Sequence, residues 1–146
     1  MPLQGEYEPS PIEFVRDQVA LIESSGGLEG TFGPDGQGVI VLTTLGAKSG
    51  KIRKLALMRV EHEGDYLVVA SKGGSNNNPV WYHNVLGTPL VELQDGPERH
   101  DYLARLLEGP EREMWWARAV EAFSPYGDYQ KRTERLIPVF VLERVR

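Results

Sequence analysis

Apolar positions near the start of the chain recur at helical spacing. Ile12, Val15, Val19 and Ile22 fall on one face of "SPIEFVRDQVALIESSGG". Ser10 is placed to cap this helix, Pro11 to take its first position and Gly26-Gly27 to end it. The pattern then changes period. "GVIVLTTL" is a continuous apolar run and predicts a buried strand. In "KLALMRVEHEGDYLVVAS", Leu55, Leu57, Arg59 and Glu61 alternate until Glu63-Gly64-Asp65 breaks the run, which predicts a hairpin. "PLVELQDGPERHDYLARLLE" predicts a second hairpin turning at Asp95-Gly96, and "IPVFVLERV" a closing strand. Helices are expected over "NPVWYHNVLG" and "GPEREMWWARAVEAF". Adjacent positions on a helix diverge, so at least one of Trp115 and Trp116 belongs to the core. About six short, mostly antiparallel strands with flanking helices make an α+β chain whose sheet closes into a small barrel.

Composition narrows the class. A chain of 146 residues with 40% hydrophobic and 25% charged residues is expected to form one globular domain. Residues 1–30 form an amphipathic helix and loop, and residues 31–146 the barrel. A net charge of −5 argues against nucleic acid as a partner. There is no cysteine, hence no disulfide or thiolate chemistry. "MPLQGEYEPSP" shows neither the basic nor the apolar region of a signal peptide, and a cytoplasmic protein is expected.

Charge distribution changes the picture. Residues 36–60 contain no Asp or Glu, yet they carry Lys48, Lys51, Arg53, Lys54 and Arg59. In "TTLGAKSGKIRK", Gly46 and Gly50 flank Lys48 and Ser49, so a tight turn can offer backbone N–H groups and cations to an anion. Residues 66–91 are also free of acid, and there Lys72, Gly73 and Gly74 repeat the theme. "NNNP" then leads into a helix start, which favours negative charge. Each island follows an apolar strand, so both are expected at one end of the barrel. Together they suggest a pocket for a small polyanion. Trp81 and Tyr82 beside the second island, and Tyr126 and Tyr129 in a surface turn within "FSPYGDYQKR", can flank a planar ligand.

Other chemistry finds no support. "GLEGTFGPDGQG" is glycine-rich, but it lacks the dinucleotide spacing and precedes a strand, so it reads as a loop. His62, His83 and His100 lack metal-ligand spacing, and no metal is expected. No nucleophile elbow occurs. With no catalytic constellation of its own, the chain is expected to use a bound cofactor.

The run "TTLGAKSGKIRKLALMRVEHEGDYLVVASKGGSNNNPVWYHNV", then "PLVELQDG", then "YGDYQKRTERLIPVFVLERVR" closely resembles the deazaflavin-dependent nitroreductase and F420H2-dependent quinone reductase family of actinobacteria. The resemblance spans roughly residues 38–146. It implies a split β-barrel of the FMN-binding kind, and reduced coenzyme F420 as hydride donor to a quinone such as menaquinone or to a nitroaromatic compound. It places Ala47, Lys48 and Ser49 in a first cofactor loop, and Arg53, Lys54, Leu55, Ala56, Leu57 and Met58 on the strand beneath. Val69, Ala70, Ser71 and Lys72 follow from the partner strand, Val80, Trp81, Tyr82, His83 and Asn84 from the short helix, and Tyr126 from the late turn. Lys48, Arg53, Lys54 and Lys72 would meet the phosphate and the polyglutamate tail, Arg53 in bidentate fashion. Ser71, Tyr126 and Tyr129 would hydrogen-bond the acceptor oxygen that gains charge. Met58 stands where a relative can carry tyrosine. Rival readings are an FMN-dependent barrel, a non-catalytic deazaflavin carrier and a partner-binding module. The stripe of Ile12, Phe14, Val15, Val19, Leu21 and Ile22 has three readings: a helix packed on the barrel, a cover on the acceptor pocket, or peripheral contact with a membrane.

Overall fold

The computed structural model describes residues 3–32 and 38–145; residues 33–37 of the glycine-rich loop lie outside them. Helix α1 spans Glu13–Ser24 rather than starting at Pro11. The Ser10 hydroxyl accepts the Ile12 N–H at 3.2 Å, closing a separate turn, and Ile12 itself is extended. At the other end the Gly27 N–H reaches back to the Ile22 carbonyl, with Gly26 and Gly27 both left-handed. Gly27 also abuts a hairpin turn: a Cβ there would fall 1.8 Å from the Gly96 oxygen, so only glycine fits.

Seven strands follow among the described residues: β1 (Val39–Leu45), β2 (Ile52–Met58), β3 (Glu61–His62), β4 (Asp65–Val69), β5 (Leu90–Asp95), β6 (Glu98–Leu106) and β7 (Val139–Arg144). Helices α2 (Val80–Gly87), α3 (Gly109–Ala122) and α4 (Pro125–Lys131) lie between them. The sheet order is β2-β1-β5-β6-β7-β4-β3, antiparallel at every named strand pair.

This order corrects the expected hairpin over residues 54–71. Residues 52–58 pair with β1, Val39 opposite Met58, and only Glu61 and His62 fold back on β4. β2 and β3 are separated by Arg59 and Val60 alone, yet they stand at opposite ends of the strand order. A two-residue link spans only about 10 Å. The sheet must therefore curl until its ends meet. Arg59 N–H to Gly38 O (2.8 Å) and Leu67 N–H to Val60 O (2.9 Å) tie that seam. The result is the α+β split barrel the sequence predicts.

Alternation along the strands sorts the side chains. Ile40, Leu42, Val68, Val91, Leu93, Phe140 and Leu142 fill the interior, and Trp81 and Val85 of α2 join the same cluster. Outward residues Leu67, Val69, Val139 and Val141 are covered by Trp115 and Ala119 of α3 and by Tyr126 of α4. Val39 and Val41 are covered by Val19 and Ile22 of α1. Of the tryptophan pair, Trp115 is buried and Trp116 only partly so.

Burial pushes the hydroxyl pKa values of Tyr66, Tyr102 and Tyr126 up, Tyr66 further through its hydrogen bond to Asp95. Unfolded tyrosines ionise near pH 10. Above that pH the native state holds protons that the unfolded state has lost, so stability falls as pH rises. Urea unfolding at a series of pH values should show a native state that weakens from about pH 10 upward. A midpoint that rises there would contradict the burial of these hydroxyls.

Candidate functional site

Antiparallel alternation decides where the two basic islands lie. Counting across β1-β5-β6-β7-β4, β1 and β4 run the same way. The loop after β1 and the segment after β4 therefore leave the same end of the barrel. Helix α2 joins them: the Ala47 N–H donates to Asn84 Oδ1 (3.0 Å), and Asn84 Nδ2 lies 3.5 Å from Thr44 Oγ1. Asn84 is buried, so α2 holds the first island from below.

The first island spends most of its backbone donors on itself. Gly46 N–H meets Lys51 O, Gly50 N–H meets Gly46 O, and Lys51 N–H meets Ser49 Oγ. Among the described residues, Lys48 and Ser49 keep N–H groups without a partner, on an exposed turn. Lys48 and Lys72 have no carboxylate partner there either.

The other two expected cations are engaged. Arg53 and Lys51 face Glu8, while Lys54 pairs with Glu23 of α1, beneath the Tyr7 ring. The register explains the split. Arg53 opposes Thr44 and shares a face with the interior residues Leu55 and Leu57; Lys54 opposes Thr43 and shares the α1-covered face with Ala56 and Met58. Arg53 thus borders the islands, and Lys54 points to the opposite side of the strand. Residues 6–8 lie along β2, with Glu8 N–H on Ile52 O and Ile52 N–H on Glu6 O. Lys51, Arg53 and Lys54 of the acid-free run find their carboxylates in the N-terminal segment, whereas Arg59 meets Asp95.

After β4, Lys72–Gly74 form a single 3-10 turn with Lys72 at φ 45. Gly74 approaches α4 closely: a Cβ there would stand 2.8 Å from the backbone carbonyl oxygen of Tyr129. The expected surface turn at Tyr126 and Tyr129 is instead this helix, α4, started by Pro125. Tyr126 is 4% exposed, its ring against Phe123, Trp116 and Tyr129. Its hydroxyl has no partner among the described residues, yet no buried side-chain oxygen is left without one, so it reaches solvent. The hydroxyls of Ser71 and Tyr129 also have no partner there.

The other expected site residues divide by exposure. Val69, Ala70 and Trp81 turn their side chains into the clusters, Tyr82 is half-buried against Phe140, and Val80 and His83 are exposed. Met58 packs beside the cluster that holds Tyr126. Two residues that the sequence reading leaves without a role also belong to this end. Thr133 Oγ1 lies 3.1 Å from Asn76 Oδ1, and the Arg135 guanidinium lies among the oxygens of the second island. Both line an open groove of about 520 Å³ with Asn76, Lys131, Arg132 and Glu134. A second groove, beside Arg59 and Asp95, opens at the opposite end of the barrel.

A family model described as F420H(2)-dependent quinone reductase matches residues 14–144. An F420H(2)-dependent quinone reductase of Mycobacterium tuberculosis is 33% identical over 136 residues, 91% of each chain. The solved structure of an F420-H2 dependent reductase (FDR-A) is 56% identical, with TM-score 0.69, over 72% of this chain and 93% of that one. A chain described as a domain-swapped dimer is 49% identical, with TM-score 0.72, over 92% of this chain and 100% of that one. A Clostridium acetobutylicum protein of the pyridoxinephosphate oxidase family, 18% identical at TM-score 0.51 and covering 88% and 85% of the two chains, shares the fold alone.

Proposed function

The chain belongs to the F420H(2)-dependent quinone reductase family, and from that premise we propose that it passes a hydride from reduced coenzyme F420 to a quinone of the menaquinone kind, nitroaromatic compounds serving as further acceptors. Reduced coenzyme F420 is the family's cofactor, and when bound it supplies the hydride. The quinone takes up that hydride with its two electrons, and one proton, to become the hydroquinone. The observation that carries this reading is convergence. Two islands carrying Lys48 and Lys72, which have no carboxylate partner among the described residues, share one barrel end with Arg53, and on the second island's side lie hydroxyls with no partner in the described chain.

The donor set fits the coenzyme. Lys48, Lys72 and Arg53 would hold its phosphate and tail carboxylates, with the free N–H groups of Lys48 and Ser49 adding neutral donors. Ser71, Tyr126 and Tyr129 would offer hydrogen bonds to the acceptor oxygen as it gains charge. Tyr126 suits that work because its hydroxyl, with no partner among the described residues, reaches solvent from within an aromatic cluster. No helix among the described residues is long and apolar enough to cross a membrane. Phe14 and Leu21 on α1, and Ile12 just before it, are nevertheless exposed, Phe14 by 71%. They support peripheral contact with the cytoplasmic face of a membrane that holds the quinone.

The test is anaerobic mixing of protein, reduced coenzyme F420 and a soluble menaquinone analogue. Absorbance and fluorescence of the oxidised coenzyme should return with multiple turnovers. Turnover with reduced FMN but not with the deazaflavin would overturn the reading, and stoichiometric binding without turnover would make the protein a carrier.

A further inference from the structure

One guanidinium at the site end of the barrel meets neutral oxygen where an anion-binding arginine would meet charge. Arg135 Nε donates to Ser75 O (2.8 Å), Nη1 to Ala70 O (3.3 Å) and Asn78 Oδ1 (2.8 Å), and Nη2 to Ser71 O (2.8 Å). An arginine has five N–H donors, so these bonds leave little for a ligand. Their acceptors span residues 70–78, the stretch of the second island between β4 and α2.

That island is otherwise tied at single points: Ala70 N–H to Pro138 O (2.9 Å), Thr133 Oγ1 to Asn76 Oδ1 (3.1 Å), and Gly74 close against α4. Lys72, Gly73 and Gly74 are left-handed in succession, at φ 45, 64 and 84. The first of these is unusual for a residue with a side chain. The bonds within the turn are Gly74 N–H to Ser71 O and Ser75 N–H to Lys72 O. The last rung toward the β7 side is Ala70 N–H to Pro138 O, one residue past β4. The fork of Arg135 reaches both sides of the turn at once, at Ala70 and Ser71 before it and at Ser75 and Asn78 after it. Lysine, a point charge on a flexible stem, lacks that planar reach.

We propose that Arg135 is a positioning residue for the coenzyme site, fixing the backbone of residues 70–78 so that Ser71 and Lys72 are presented together. The assignment rests on the reading of the site given above. Because Arg135 acts through the backbone, it shapes affinity without touching the ligand.

The experiment uses the full chain. Coenzyme F420 is titrated by fluorescence into wild type, Arg135→Lys and Asn78→Ala at several salt concentrations, and amide hydrogen exchange is followed over residues 72–75. Arg135→Lys should weaken binding by about tenfold, the loss of one or two charge-assisted hydrogen bonds. In Arg135→Gln, titrated alongside to remove the charge, the salt dependence should stay parallel to wild type, since no ligand-bound cation has been lost. KM for the coenzyme should rise more than kcat falls, and exchange over residues 72–75 should quicken. Asn78→Ala removes one acceptor and should do the same more weakly, which keeps the test open where Arg135→Lys fails to fold. Wild-type affinity with unchanged exchange in Arg135→Lys would overturn the assignment. So would a shallower salt dependence in Arg135→Gln, which would make Arg135 a direct ligand. Wild type that binds no coenzyme would overturn the site reading and this assignment together, and the wild-type titration alone reveals that case.

Discussion

Tyr126→Phe is expected to lower turnover roughly ten- to a thousandfold, the loss of one hydrogen bond made in the transition state, while coenzyme affinity stays near wild type. The substitution removes only an oxygen. The ring would remain packed against Phe123 at 5.0 Å and Tyr129 at 6.1 Å between centroids, so the fold should be indifferent. A hydroxyl that had been satisfied within the core would leave an orphaned partner behind, but this one has none among the described residues. Any effect must then come through something the protein binds. Burial holds this hydroxyl protonated above the usual range, so its donation should not titrate near neutral pH. Steady-state kinetics at saturating coenzyme decide the matter. An unchanged kcat with quinone and nitro acceptors alike would return Tyr126 to packing.

Two substitutions across one ion pair should move coenzyme affinity in opposite directions. Arg53→Gln is expected to weaken binding on the order of ten- to a hundredfold, because a charge-assisted contact to phosphate or carboxylate is lost. Glu8→Gln should tighten it by a smaller factor. Glu8 pairs with Arg53 and lies 3.8 Å from Lys51, and it competes for the cations that the coenzyme would use. Both side chains are partly exposed, so water and salt weaken that competition and its removal yields less than Arg53 itself. Titrations at low and high salt check both. Weaker binding in Glu8→Gln would mean that Glu8 organises Arg53 rather than competing for it.

The parts of this protein that were legible in sequence were those written in short periods. Val39, Val41, Ile40 and Leu42 alternate between two covered faces, so the strand is plain from its run of apolar residues. Glycine and lysine clustering marked both islands, because tight turns and unpaired cations each need particular residue types. The tyrosine segment was missed as a helix: α4 is only seven residues long and holds Gly127, too short to show a period. The curl of the sheet was hidden for another reason. The alternation from Leu55 to Glu61 runs straight through Arg59 and Val60, and nothing local says that they form a seam rather than part of one hairpin strand. The partners of Arg53, Lys54 and Arg135 are 31 to 65 residues away in the chain, beyond any local pattern.

β7 is the latest described strand in chain order, yet it stands inside the sheet, between β6 and β4. The hairpins β1–β2 and β5–β6 join near neighbours and can pair early. β4, with Tyr66 opposite Leu142 and Val69 opposite Val139, must wait for a strand roughly seventy residues downstream. During synthesis the interior faces of Val68 and Phe140 therefore cannot meet until nearly all of the described chain has been made. The growing chain then carries β4 with one edge unpaired and its apolar side chains uncovered, which is when a chaperone or a neighbouring chain would find it.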